Sequence, residues 1–205
     1  MSKRQILPEA FYDSLSLARK LDEYLDGFRE DEIHLFAYFS MLLFLYKKNS
    51  LSDWRYQFTS SEGYPFSQDV DECIRMHIRN GNIEYYSNFL KITARGADEF
   101  NQFKNMELFK KREKFLSAAC TASIAIPYSL TQKALKNEPR LDHARQMNDK
   151  RWIIPDGQSS VYEDFAAISN KIGIDMDDLL IPAVTWINLL IEQTEVKENG
   201  NKIDR

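Results

Sequence analysis

Residues 33–46 read IHLFAYFSMLLFLY and residues 80–96 read NGNIEYYSNFLKITARG, and these two stretches decide the fold. The first is apolar or aromatic on nearly every side, which is typical of a helix at the centre of a core. The second places Gly81, a helix-ending residue, ahead of two β-prone runs that flank Ser87 and Asn88. We therefore predict a buried central helix and, later in the chain, a hairpin with a two-residue turn.

Two further helices are predicted around the central one. Apolar residues recur at three- and four-residue spacing over residues 8–28, which indicates an amphipathic helix. Asp31 is expected to cap the central helix. A short helix, capped by Ser50 or Ser52, is expected to run through Trp54, Tyr56 and Phe58, and Gly63 and Pro65 break the pattern after it.

The segments on either side of the hairpin are also predicted to be helices. A helix is predicted to begin at Ser67 or Gln68 and to end at Asn80, and Thr93 is expected to cap a helix over residues 94–104. A buried helix, two more helices, a hairpin and a closing helix describe a winged helix. The predicted fold class is therefore mainly α with short β-hairpins, with a winged helix in an N-terminal domain of residues 1–107.

Residues 108–205 are predicted to form a C-terminal helical domain. Either a second hairpin or a loop is expected around Gly157, between β-prone residues 152–154 and 161–162. A mostly apolar helix is expected over residues 179–191, and the charged residues 195–205 are expected to fray. A second, degenerate winged helix in this half would make the fold a tandem of winged helices.

Composition narrows the class of protein. The chain has 205 residues and a net charge of −4, whereas a free-standing duplex-binding domain normally carries a basic face. The cysteines Cys73 and Cys120 match no disulfide framework and no zinc spacing. No stretch is long and apolar enough for a membrane span, and no signal-peptide core follows Met1. We therefore predict a cytoplasmic protein that does not enter a membrane.

The sequence carries none of the usual motifs for phosphate binding, metal catalysis or serine hydrolysis. The seven glycines form no phosphate-binding loop, and the three histidines lie in separate predicted elements. Asp156, Glu195 and Lys197 superficially match the PD…ExK pattern of metal-dependent nucleases, but the gap is long and Glu195 lies in a polar tail. The prediction is a protein that is not an enzyme and that needs no metal and no cofactor.

Eight basic residues are the candidate contacts to nucleic acid. Two lie on the helix that would be the recognition helix, two flank the wing, and four form a cluster farther on. Against a DNA-reading role, the same helix begins with acidic residues and the wing tip carries no charge. The candidates are Arg75, Arg79, Lys91, Arg95, Lys110, Lys111, Arg112 and Lys114.

The same features resemble a known family. The apolar helix, GNIEYY at 81–86, KITARGADEF at 91–100 and MELFKKR at 106–112 are similar to the middle components of bacterial three-component ABC systems, as in Lamassu-type antiphage defence. These components accompany an SMC-like ATPase and an effector. The resemblance covers about half of the chain.

Two functions follow as hypotheses. The resemblance implies a non-catalytic accessory subunit that bridges the SMC-like ATPase and an effector nuclease, like the kleisin-interacting tandem winged-helix subunits of SMC complexes. It leaves open whether double-stranded DNA is also touched. The alternative is a stand-alone winged-helix transcription regulator that binds a particular duplex.

Overall fold

The computed structural model describes residues 6–61, 64–146 and 179–203, together with Ile153, Glu163 and Ala167. For residues 197–203 the description covers the backbone alone. In chain order the elements are α1 (Pro8–Leu25), α2 (Glu30–Tyr46), α3 (Leu51–Trp54), β1 (Thr59–Ser61), β2 (Tyr64–Phe66), α4 (Gln68–Arg79), β3 (Ile83–Tyr86), β4 (Phe89–Ile92), α5 (Ala94–Phe103), α6 (Glu107–Ile124), α7 (Tyr128–Lys136), α8 (Pro139–Gln146) and α9 (Leu180–Ile203). The predicted class, mainly α with short hairpins, is confirmed.

Helix α2 is the centre of the core, as predicted. Every residue from Glu32 to Tyr46 is buried, because the helix is covered on all sides by its neighbours. The expected cap at Asp31 is wrong, since the helix begins at Glu30. The side chain of Glu32 instead reaches back and accepts the backbone N–H of Arg29 at 2.8 Å, which satisfies a free donor at the helix start.

The hairpin β3–β4 follows the predicted register. Tyr86 is paired with Phe89 across the turn, and Gly81 ends α4 with a φ of +74°. Thr93 caps α5, because its hydroxyl accepts the backbone N–H of Gly96 at 3.1 Å. All of these features were predicted from local sequence patterns.

The hairpin is joined to the link between α1 and α2. The backbone of Phe28 exchanges two hydrogen bonds with that of Leu90, at 2.9 Å and 2.7 Å, and so adds a one-residue third strand beside β4. Helices α1, α2 and α4 pack against one another, and α1 also packs against β4. Helices α1, α2 and α4 thus form a three-helix group, and Phe28, β4 and β3 form a small antiparallel sheet beside it.

Helix α3 ends at Trp54 and not at Phe58 as expected, and a second hairpin between α3 and α4 was missed from the sequence. Strands β1 and β2 pair antiparallel, with Ser60 opposite Pro65, and β2 packs against α2. Proline lacks the N–H of a ladder, but a two-stranded sheet has only edge strands, where proline is tolerated. The hairpin therefore lies where only a break in the pattern was expected.

Helix α6 packs against both α1 and α2. Its buried residues Phe115 and Leu116 belong to the same hydrophobic cluster as Leu15 on α1 and Leu42 on α2. The proposed division after residue 107 stays a prediction, but the core of the first half extends over α6.

The last described elements cover α6 from the other side. Helices α6 and α7 both pack against α9, and Trp186 of α9 stacks on Phe39 of α2 with ring centroids 5.4 Å apart. The backbone of α9 stays helical to Ile203, through the segment expected to fray. The hairpin or loop expected around Gly157 lies outside the described residues. Within the described parts, none of the helices has the length and apolarity needed to cross a membrane.

Candidate interaction surface

Three aromatic side chains on the hairpin β3–β4 face solvent. Tyr85 is 67% exposed, Tyr86 60% and Phe89 40%, whereas their neighbours Ile83 and Leu90 are buried at 1% and 2%. Ile83 and Leu90 anchor the hairpin to the core, which leaves the aromatic rings at its turn end uncovered. We refer to Tyr85, Tyr86 and Phe89 as the wing aromatics, after the wing that the sequence predicts at this hairpin.

Two cations border the wing aromatics. The Nζ atom of Lys91 lies 4.5 Å from the ring centroid of Tyr86, and the guanidinium carbon of Arg29 lies 5.4 Å from that of Phe89. Lys91 also donates to the Asp26 carboxylate at 2.6 Å, a hydrogen bond that raises the pKa of Lys91. The charge of Lys91 is therefore matched by Asp26 and is held beside an aromatic face.

The position of the wing aromatics depends on a close approach at Gly27. This residue has a φ of +121°, and a Cβ built there would lie 3.1 Å from the Cβ of Phe89. Because the next residue, Phe28, is fully buried and paired with Leu90, the base of the hairpin is fixed to the turn after α1. Because Gly27 has no side chain, it permits the close contact that fixes the position of Phe89.

Helix α4 carries the first pair of predicted nucleic-acid contacts. Arg75 is exposed and pairs with Asp71 one turn earlier at 2.7 Å. Arg79 is exposed near the helix end and has no ion-pair partner among the described residues. The face of α4 that carries Cys73 and His77 is buried in the core.

The remaining predicted contacts differ in their surroundings. Arg95 is exposed at the start of α5, and Lys111 is exposed on α6. Lys110 is paired with Glu107 at 3.0 Å, and the Nζ atom of Lys114 lies 4.9 Å from the ring centroid of Phe115. The predicted contacts thus lie on four separate elements, α4, β4, α5 and α6. Of these, α4 and α6 both pack against α1.

Arg112 departs from the predicted surface role. It is only 5% exposed, and its guanidinium is paired with Asp13 of α1. It also donates to the backbone carbonyl of Trp54 at 3.2 Å, and its guanidinium carbon lies 4.0 Å from the centroid of the Trp54 ring. A guanidinium enclosed in this way cannot reach a phosphate, so Arg112 is a core residue and is withdrawn as a nucleic-acid contact.

The wing aromatics were not among the predicted site residues. Their run, Ile83 to Tyr86, was interpreted only as β-prone. A signal was nevertheless present, because Tyr85 and Tyr86 are adjacent and successive residues of a strand point to opposite faces. One of two adjacent tyrosines in an edge hairpin must therefore face away from the core.

Known proteins offer no guide to this surface. Neither the protein families, nor the curated proteins, nor the solved structures compared with this chain contain a match. Within the residues that the structure describes, no group of three or more histidine, cysteine, aspartate or glutamate side chains is arranged to hold a metal ion.

Proposed function

We propose that this chain is a non-catalytic accessory subunit that binds other proteins through the wing aromatics. The observation that supports this proposal is the exposure of Tyr85, Tyr86 and Phe89 on one hairpin. Tyrosine and phenylalanine are enriched in protein interfaces, where large rings bury much apolar area at a small entropic cost. Singly exposed apolar residues are common on monomers, but three within five residues are better explained by a partner.

The arrangement of elements supports a winged helix as the scaffold. In this interpretation α1, α2 and α4 are its three helices, Phe28 is its first strand and β3–β4 is its wing. Helix α3 and the hairpin β1–β2 would be an insertion between the second and third helices. This differs from the sequence-based expectation, in which α2 was the first helix of the motif.

The charges near the wing favour a protein partner over a DNA duplex. Lys91 and Arg75 are each paired with a carboxylate of the chain itself, and Asp69 and Asp71 lie in the first turn of α4. Phosphate binding requires cations that are free to replace counterions. The wing therefore offers aromatic area where a DNA-binding wing would offer uncompensated positive charge.

Together with the family resemblance, this surface supports a specific role. The chain would bridge the SMC-like ATPase and the effector nuclease of a Lamassu-type defence complex in the cytoplasm. The recognition of foreign DNA by the assembly would then change the release or the activity of the effector. The accessory subunit itself would need neither a cofactor nor a metal.

Co-purification tests this role. The role predicts that an SMC-like ATPase is encoded beside this chain, and the two proteins, expressed together, are expected to elute as one complex. The variant with Tyr86→Ser and Phe89→Ser is expected to lose the ATPase while keeping its own elution volume. Leu108→Ser, which removes an equally exposed apolar side chain from α6, serves as the matched control. A double variant that still binds the ATPase as tightly as the parent would refute a role for the wing.

The alternative, a stand-alone winged-helix transcription regulator, is supported by the exposure of Arg79 and Arg95. These two side chains lie on α4 and at the start of α5, on either side of the hairpin, and have no ion-pair partner among the described residues. A regulator would use these two side chains to bind the phosphates of a DNA duplex.

A further inference from the structure

A pocket of about 360 Å³ lies between the start of α2, the hairpin β1–β2 and the start of α4. Its volume is in the range of small-molecule sites. Three acidic residues, Glu30, Asp31 and Asp71, line it together with His34 and Tyr64. The pocket is remote in sequence from the wing aromatics and has no part in the proposed function.

Two of the three acidic residues of the pocket have no partner among the described residues. Asp71 is paired with Arg75 at 2.7 Å. Glu30 and Asp31 have no ion-pair or hydrogen-bond partner among the described residues, although Glu30 lies at a helix start, where a negative charge is favourable. Two carboxylates therefore remain available to a ligand.

His34 supplies a donor to the same pocket. Its side chain is buried, with 4% exposed, and its Nδ1 atom accepts the backbone N–H of Ser67 at 3.2 Å. That hydrogen bond places the proton of the neutral ring on Nε2. Nε2 has no hydrogen-bond partner among the described residues, and His34 is one of the residues that line the pocket, so one N–H donor of the ring is left without a partner at this site.

The protonation of His34 indicates what kind of ligand would fit. Burial lowers the pKa of His34 to about 4, so the ring is neutral at neutral pH. A metal ion would need the lone pair of Nε2, but that nitrogen carries the proton because Nδ1 is the acceptor. A ligand for this pocket must instead bring a positive charge for the carboxylates and an acceptor for the Nε2–H group.

We propose that this pocket binds an arginine side chain from a basic peptide segment of a partner protein. Its guanidinium would lie between Glu30 and Asp31, and a main-chain carbonyl of the same peptide would accept the Nε2–H of His34. A planar guanidinium forms paired hydrogen bonds with carboxylates and also stacks on aromatic rings. Peptides provide this combination of cation and carbonyl at every arginine.

The tyrosine in the wall already accepts a cation. The Nζ atom of Lys136 lies 4.4 Å from the ring centroid of Tyr64. The ring of Phe66 lies beside His34, with centroids 5.0 Å apart, which makes this side of the pocket aromatic. Because Lys136 already occupies one face of Tyr64, the wall offers an arginine the two unpaired carboxylates and the ring of Phe66.

The test uses the full chain and two small probes. N-acetyl-argininamide is titrated into the protein, and the imidazole nitrogen signals of His34 are followed by NMR spectroscopy. N-acetyl-citrullinamide is the matched probe, because it has the same shape and carries no charge. His77 is an internal control, since its Nε2 atom is already engaged by the Phe11 carbonyl oxygen at 3.0 Å.

A saturable shift of the His34 signals with the arginine probe alone is the expected result, with the His77 signals unchanged. Glu30→Gln combined with Asp31→Asn is expected to weaken binding about fivefold or more, because both unpaired carboxylates are lost. Glu107→Gln is the matched control, since Glu107 is also an exposed acid in the first turn of a helix.

Two results would overturn the proposal. One is an equal shift with the citrulline probe, which would show binding without charge recognition. The other is no shift at His34 at any concentration of the arginine probe. Neither result would affect co-purification with the ATPase, so a failure here is distinguishable from a failure of the proposed function.

Discussion

Arg112 on α6 and Asp13 on α1 form an ion pair that is closed to solvent, with 5% and 0% of the two residues exposed. Asp13 also accepts the hydroxyl of Tyr56 at 2.6 Å. Burial acts to lower the pKa of Arg112, and the Asp13 carboxylate more than offsets it, so that this pKa lies above its ordinary value. The pair is thus charged within the core, where each partner depends on the other.

Removing one partner should be costly. Arg112→Met leaves the Asp13 carboxylate buried without its cation, and the expected loss in the free energy of unfolding is about 3–5 kcal/mol. Urea denaturation followed by circular dichroism measures it. Lys110→Met, the same kind of change at an exposed position of the same helix, should alter stability by about 0.5 kcal/mol or less.

The double variant Arg112→Met with Asp13→Asn separates charge from packing. If the pair acts mainly through its charges, the double variant should be more stable than Arg112→Met alone, because no charge is left unpaired. Additive losses would show that the side-chain volumes, and not the charges, matter.

Stability should fall as the solution is acidified below neutral pH. Burial lowers the pKa of both His34 and His77 to about 4 from an ordinary 6.5. Between these values the unfolded chain binds protons that the folded chain does not, so the stabilisation is complete above pH 6.5 and decreases toward pH 4. At pH 5 each histidine should lower the free energy of unfolding by about 2 kcal/mol relative to neutral pH.

Urea unfolding at pH 7 and pH 5 checks this expectation. Because carboxylates also titrate, the comparison is between the parent and His77→Gln, which should show the smaller decrease. The exposed His143 provides the control, since His143→Gln should leave the parental decrease unchanged. A decrease of the same size in His77→Gln would contradict the assignment.

Gly96 should not tolerate a side chain. A Cβ there would lie 2.2 Å from the carbonyl oxygen of Asn82 and 2.9 Å from Cγ1 of Ile92. Gly96→Ala would therefore push α5 away from the base of the hairpin, at a cost of about 3 kcal/mol. Thermal denaturation measures the change, and Asp98→Ala, at an exposed position of α5, is expected to remain near the parental value.

Binding to a DNA duplex should be weak in the isolated chain. The proposed function predicts no saturable fluorescence-anisotropy signal with a duplex at about 50 mM salt and about 10 µM protein. A regulator would instead bind tightly, and Arg79→Ala with Arg95→Ala would lower the dependence of its affinity on salt by about one unit per residue. Saturable binding with that change would favour the alternative.

Local patterns were sufficient to predict one part of the fold. The hairpin turn at Ser87, the cap at Thr93 and the stop at Gly81 each depend on the conformational preference of one or two residues. The central helix was equally predictable, because a segment that is apolar on all sides has to be buried. Such features need no knowledge of distant neighbours.

Features that depend on distant residues could not be predicted in this way. Arg112 belongs to a basic run that is typical of a solvated face, and only the approach of Asp13 turns it inward. The pocket beside His34 needs β1–β2, and those three-residue strands are held by packing on α2 and not by their own propensity. Sequence patterns record local preference and carry little information about such pairings.

The Asp13–Arg112 pair is one of several polar links that span about a hundred positions of the chain. Tyr12 and Glu113 are separated by 101 residues, Asp13 and Arg112 by 99, and Tyr38 and Glu138 by 100. During synthesis, α1 and α2 therefore leave the ribosome well before the groups that satisfy their buried acids and hydroxyls. The buried polar contacts of α1 and α2 therefore cannot form until α6 and the start of α8 have also emerged.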